Sequence, residues 1–134
     1  MAAEELIPIA HERDIVSARQ RGRQLASECG FSTRDQTLIA TAISEVARNI
    51  VAYAREGHIV LEPIEKPDGR RGISVAAIDR GPGIADVELA MRDGYSTGKS
   101  LGLGLPGARR LMDEFEIETA MGKGTTIRMR KWMP

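Results

Sequence analysis

The sequence is poor in the residues that would staple or metallate a small domain. Cys29 is its single cysteine, so no disulfide can close within the chain. That scarcity suits a reducing compartment and predicts a cytoplasmic protein. His11 and His58 are the two histidines, and with one cysteine they leave too few ligands for a structural zinc site. A surplus of one charge is also missing. The 19 Lys plus Arg balance 19 Asp plus Glu, so the formal net charge is zero. A neutral chain has no general attraction to nucleic acid or to an anionic membrane. Long apolar runs are absent too. Leu6 to Ala10 is short for a secretory leader and lacks a basic flank. No stretch approaches the roughly 20 apolar residues of a membrane helix. Secreted scaffolds, membrane spans, zinc fingers and simple DNA-binding modules are thereby disfavoured. What is present is ordinary for a globular domain: 134 residues, 42% hydrophobic and 28% charged. That length suits one domain, residues 1–134, with a core of its own.

Glycine is present but unevenly spread. Nine of the fourteen glycines lie between Gly81 and Gly124, where the backbone must turn sharply or approach something closely. Before that stretch, Leu6 to Ile9 reads as a short edge strand that tolerates Pro8. A helix begins near Asp14, with Ile15, Ala18, Gly22, Leu25, Ala26 and Cys29 on one face, and stops at Gly30. Arg19, Arg21 and Arg23 fall mostly outside that face and read as solvated. Ser32 caps a second helix, with Asp35 three residues on. Its apolar stripe is Leu38, Ile39, Ala42, Ile43, Val46 and Ile50. Glu45 and Asn49, four apart, share the rim of that stripe. Ser44 and Arg48 are expected on the opposite side, toward water.

His58 to Glu65 and Gly72 to Asp79 read as a hairpin around Lys66-Pro67-Asp68-Gly69. Asp86 to Arg92 is a short amphipathic helix, and Gly94 to Gly102 a polar, glycine-rich loop. Pro106 to Phe115 reads as a helix, and Phe115 to Thr119 with Thr125 to Met129 as a last hairpin. Met112, Phe115 and Trp132 are expected in the core. The order predicts an α+β, two-layer α/β sandwich: a mixed, mostly antiparallel sheet with helices on one face.

Two phosphate-binding patterns are decoys. Asp93 to Ser100 nearly matches G-x-x-x-x-G-K-S, but starts with Asp and follows a helix rather than a strand. Gly102 to Gly107 matches G-x-G-x-x-G without the βαβ unit that a dinucleotide fold requires. Glycines opening a helix still offer bare N–H groups and a positive dipole end to an anion.

Four segments matter together: Glu45-x-x-x-Asn49 on a helix, Asp79-x-Gly81-x-Gly83 after a strand, the glycines from Gly94 to Gly107, and Gly122-x-Gly124-Thr125 at a hairpin. In this order they resemble the four ATP-site boxes of the GHKL superfamily, which has the Bergerat fold and includes gyrase, histidine-kinase and MutL type ATP sites. The stretches Asp14–Arg19, Ile43–Ile50, Asp79–Ile84 and Arg110–Phe115, with Lys131-Trp132, are similar to the RsbT-type serine/threonine kinases of the bacterial stressosome.

The resemblance implies ATP and Mg²⁺ as cofactors, with a lid at about residues 84–101. It implies that Glu45 is the general base, that Asn49 holds Mg²⁺, and that Asp79 accepts from the adenine amino group. Gly81 and Gly83 would let the backbone pass close to the base. Gly98, Gly102, Leu103 and Gly104 would present N–H groups to phosphate, Lys99 would meet the γ-phosphate, and Thr125 would support the adenine end. Taken singly these residues have blander readings: a rim pair, a turn aspartate, a solvated lysine, a strand threonine. The implied activity is phosphorylation of a Ser or Thr on STAS-domain partners, followed by docking to an effector such as a PP2C-type phosphatase. The alternatives are an anti-sigma-factor kinase that sequesters a sigma factor, an ATP-gated binding module, and an ATPase with no protein acceptor. No phosphoacceptor histidine helix accompanies the boxes, which disfavours a histidine kinase.

Overall fold

The computed structural model describes residues 4–84, 87–91 and 104–134. The elements run β1 (Glu5–Ile9), α1 (Glu12–Cys29), α2 (Thr33–Tyr53), β2 (Gly57–Glu65), β3 (Arg71–Asp79), α3 (Val87–Ala90), α4 (Gly104–Leu111), β4 (Glu114–Ala120) and β5 (Gly124–Trp132). The strands form one sheet in the order β1-β2-β3-β5-β4. Every ladder among them is antiparallel, so the mixed sheet expected above is a purely antiparallel one.

Strand alternation makes the second layer necessary. Ile9, Ile59, Leu61, Ile73, Val75, Ala77, Ile127 and Met129 are buried and share one face of the sheet. The helices cover that face with Ile15, Ala18 and Leu25 of α1 and Ile39, Ala42, Ile43, Val46 and Ile50 of α2. Where α1 meets α2, a Cβ on Gly22 would overlap the end of Ile43, so the glycine lets the helices close. Both helices are capped as their sequences suggest. The Asp14 carboxylate accepts from the N–H groups of Ala10 and His11, and α1 ends at Gly30 with φ +99°. Ser32 Oγ accepts from the Asp35 N–H at 3.1 Å.

Four local readings change. Ser44 is buried, not solvated, because α4 packs over that side of α2; its hydroxyl donates to the Ala40 carbonyl at 3.0 Å. Arg21 is not simply solvated, since it pairs with Glu5 of β1 at 2.6 Å. The helix expected at Pro106–Phe115 starts earlier and stops at Leu111. There Asp113 joins the sheet: its N–H donates to the Arg130 carbonyl and its carboxylate accepts from the Trp132 N–H at 2.7 Å. This pulls Phe115 into β4. Trp132 is not in the core. Its ring lies under Lys66 Nζ at 4.6 Å and its Nε1 donates to Glu114 at 2.6 Å. Met112 is buried as expected. The short helix expected over Asp86–Arg92 is present as α3, with Asp86 and Arg92 outside the described residues.

Candidate functional site

The strand order brings the separated segments to one end of the molecule. Insertion of β5 between β3 and β4 sets Asp79, the last residue of β3, opposite Thr125, the second residue of β5. Asp79 is buried. Its Oδ1 accepts from the Gly81 N–H at 2.9 Å and from the Thr125 N–H at 3.2 Å. Both bonds use the same oxygen, so Oδ2 remains for a donor arriving from the site.

Around Asp79 the backbone is tightly packed. Gly124 has φ +99°, and a Cβ there would run into the Asp79 carbonyl oxygen. Gly83 has φ +84°, and its Cβ would lie 2.6 Å from the Ala120 carbonyl oxygen. These two glycines are therefore required by the protein's own packing, before any ligand is considered. Gly81 likewise leaves no room, with its Cβ position 2.6 Å from the Ala54 Cβ.

Thr119 joins this candidate site without any signal in the sequence. Its hydroxyl accepts from the Ile84 N–H at 2.9 Å, donates to the Gly124 carbonyl at 3.2 Å, and lies 2.9 Å from the Thr125 hydroxyl. It thereby joins the β4–β5 hairpin to the chain leaving Gly83. Only the register, which pairs Thr119 with Thr125, reveals this, because no spacing motif connects the two.

Glu45 and Asn49 project from the C-terminal half of α2, one turn apart. Glu45 is 6% exposed, and its Oε1 accepts from the Gly104 N–H at 2.9 Å. Gly104 opens α4 with φ +57°, so the first donor of that helix is committed to Glu45 rather than left open. A carboxylate at a helix N-terminus is favourably placed by the dipole. Asn49 is half-buried. An amide oxygen is a suitable hard ligand for Mg²⁺, which keeps several waters and binds through few protein groups. The residues present therefore fit a metal held jointly by Asn49 and a phosphate ligand. No cluster of three or more His, Cys, Asp or Glu exists among the described residues to hold one alone.

Arg48 departs from expectation. It is half-buried rather than solvated, and its Nε is sealed from water with no hydrogen-bond partner. An unsatisfied buried donor costs on the order of 1–3 kcal/mol. Gly98, Lys99, Gly102 and Leu103, expected near the phosphates, lie outside the described residues, as does most of the lid. Cys29 is half-buried away from the site, and burial pushes its thiol up, away from nucleophilic use. No helix among the described residues is long and apolar enough to cross a membrane.

Comparison with known proteins identifies the family and the fold. Residues 9–131 match the family described as the histidine kinase-like ATPase domain. The chain is 49% identical to serine/threonine-protein kinase RsbT of Bacillus subtilis (strain 168) over 133 residues, covering 99% of each. It is 37% identical to the anti-sigma F factor of Caldanaerobacter subterraneus subsp. tengcongensis over 98 residues, covering 71% of this chain and 68% of that one. Among solved structures, the mycobacterial sensor histidine kinase MprB superposes with a TM-score of 0.56 at 14% identity, over 97% of both chains. At that identity the likeness speaks for the fold alone.

Proposed function

Since the chain belongs to the histidine kinase-like ATPase family, on its serine/threonine-protein kinase branch, we propose that it moves the γ-phosphoryl group of ATP to a Ser or Thr of a STAS-domain partner. The observation that carries this reading is the pairing on α2. A buried carboxylate, Glu45, is held by the first N–H of α4, one helical turn from the half-buried amide of Asn49.

The residues divide the work. Asp79 Oδ2 accepts from the adenine amino group, while Oδ1 keeps the loop and β5 in place. Thr125, tied to Thr119, lines the same end. Asn49 would hold Mg²⁺, which would supply positive charge against the phosphates. Glu45 takes the proton of the incoming hydroxyl as its oxygen bonds to the γ-phosphorus. The bond from that phosphorus to the β–γ bridging oxygen breaks, and ADP leaves. Phosphoryl transfer asks mainly for positioning and charge neutralisation, which this set supplies.

The acquired phosphate carries about −2 charge, and its repulsion and desolvation weaken the complex with the modified partner. The released kinase then docks on a downstream effector such as a PP2C-type phosphatase. A second reading, in which the chain also sequesters a sigma factor, is supported by its 37% identity to an anti-sigma F factor. The test is to mix the protein, Mg²⁺ and γ-labelled ATP with a STAS-domain protein encoded beside it. Acid-stable label on a partner Ser or Thr is the expected result. Absence of label, or acid-labile label on histidine, would overturn the reading. Co-purification of a sigma factor without transfer would favour the second.

A further inference from the structure

Arg48 stands on the same turn of α2 as the two residues proposed to handle the phosphates. At about 100° per residue, Arg48 leaves the helix about 60° to one side of Glu45, and Asn49 about 40° to the other. Glu45 thus lies between them on one continuous surface. Ser44, on the Arg48 side, is covered by α4. Arg48 therefore emerges beside the seam where the glycine-led end of α4 meets Glu45.

The side chain is unusual for its surroundings. It is half-buried, and its Nε is sealed from water with no hydrogen-bond partner among the described residues. A guanidinium carries five N–H donors and does not shed its charge in a protein. The sealed Nε–H carries a desolvation cost that an anion reaching it would remove. No described carboxylate does so, and Glu45 turns Oε1 toward Gly104. An arginine's planar fork matches the oxygens of a phosphate.

We propose that Arg48 is a ligand of the terminal phosphate of ATP, contacting the γ-phosphoryl group beside Glu45 and Asn49. The proposal rests on the ATP-dependent kinase reading given above. The γ-phosphate is singled out because the general base must stand next to the phosphorus under attack, and Arg48 shares that base's turn. The contact adds positive charge where negative charge spreads over the equatorial oxygens during transfer.

The test compares ATP with ADP, which lacks the γ-phosphate. Calorimetric affinities for both nucleotides with Mg²⁺ are measured on the native chain, Arg48→Gln and Arg48→Lys, with thermal melting to verify folding. The glutamine variant is expected to lose about tenfold or more in ATP affinity, with ADP affinity changed by less than about twofold. The lysine variant, keeping charge without the fork, is expected to recover part of the loss. If the glutamine variant fails to fold, the ATP-to-ADP ratio of the lysine variant decides. Equal losses for the two nucleotides would assign Arg48 a structural role and overturn the proposal, as would no loss for either. Failure of the native chain to bind ATP would instead defeat the kinase reading itself, and this inference with it.

Discussion

In the proposed site Asp79 would do two tasks with two oxygens, and a single substitution can separate them. Asparagine keeps an acceptor for the Gly81 and Thr125 N–H groups but replaces Oδ2 with a second donor. That donor would oppose the adenine amino group. Asp79→Asn should therefore cost about tenfold or more in ATP affinity while removing no more than about 1 kcal/mol of stability. Calorimetry and urea unfolding, run side by side, check the two halves. Asp14 makes a pH prediction of a different kind. Hydrogen bonds from the N–H groups of Ala10 and His11 hold its carboxyl below the usual aspartate value. A depressed folded pKa adds stability above the unfolded value near 3.8, and that stability is lost as pH falls through the folded value. Asp14→Asn should flatten the decline in melting temperature below about pH 4, where the native chain loses this contribution. At this scale the sequence was only partly legible. Glu45, Asn49, Asp79 and Thr125 fall in an ordered set of short motifs, and that order is what singles them out as candidates. Thr119 enters by strand register, and the burial of Arg48 and Ser44 depends on α4, about 60 residues further along the chain; neither has a local signal.

The hairpin ends carry the site, so element geometry and ligand affinity should change together. Gly124 opens β5 at φ +99°, against the Asp79 carbonyl. Gly124→Ala adds a Cβ that neither the dihedral nor the neighbouring backbone accepts. It should destabilise the fold by about 2 kcal/mol or more and weaken ATP binding as Asp79 shifts. Urea midpoints and nucleotide titration of the same preparation measure both. The cap of α2 is a contrasting case: Ser32→Ala should cost about 1 kcal/mol and leave nucleotide affinity unchanged. Most elements could be read from periodicity and punctuation. Gly30, Ser32 and the Lys66–Gly69 turn each have a physical reason that is local. The end of α4 does not. Its boundary is set by Asp113 bonding to Arg130 and Trp132 on a distant strand, a tertiary choice that overrides the helical pattern through Phe115.

At the scale of the molecule, the two layers separate stability from chemistry. The apolar middle of the sheet and the helix faces hold the fold, while the C-terminal half of α2 and the adjoining ends of β3 and β5 carry the proposed site. The α/β sandwich was legible because hairpins and amphipathic helices alternate in blocks. The purely antiparallel pairing was not, since the position of β5 between β3 and β4 depends on which edge the last hairpin joins. That placement alone brings Asp79 and Thr125 together, and with α4 against α2 it gathers the proposed site from segments far apart in sequence. Glu45 is proposed to perform chemistry rather than to hold the fold or the nucleotide. The most direct test is single-turnover phosphotransfer to the STAS-domain partner by Glu45→Gln, with ATP affinity measured on the same protein. The account predicts transfer slowed by about a hundredfold or more with ATP still bound at near-native affinity. Transfer at the native rate would contradict it.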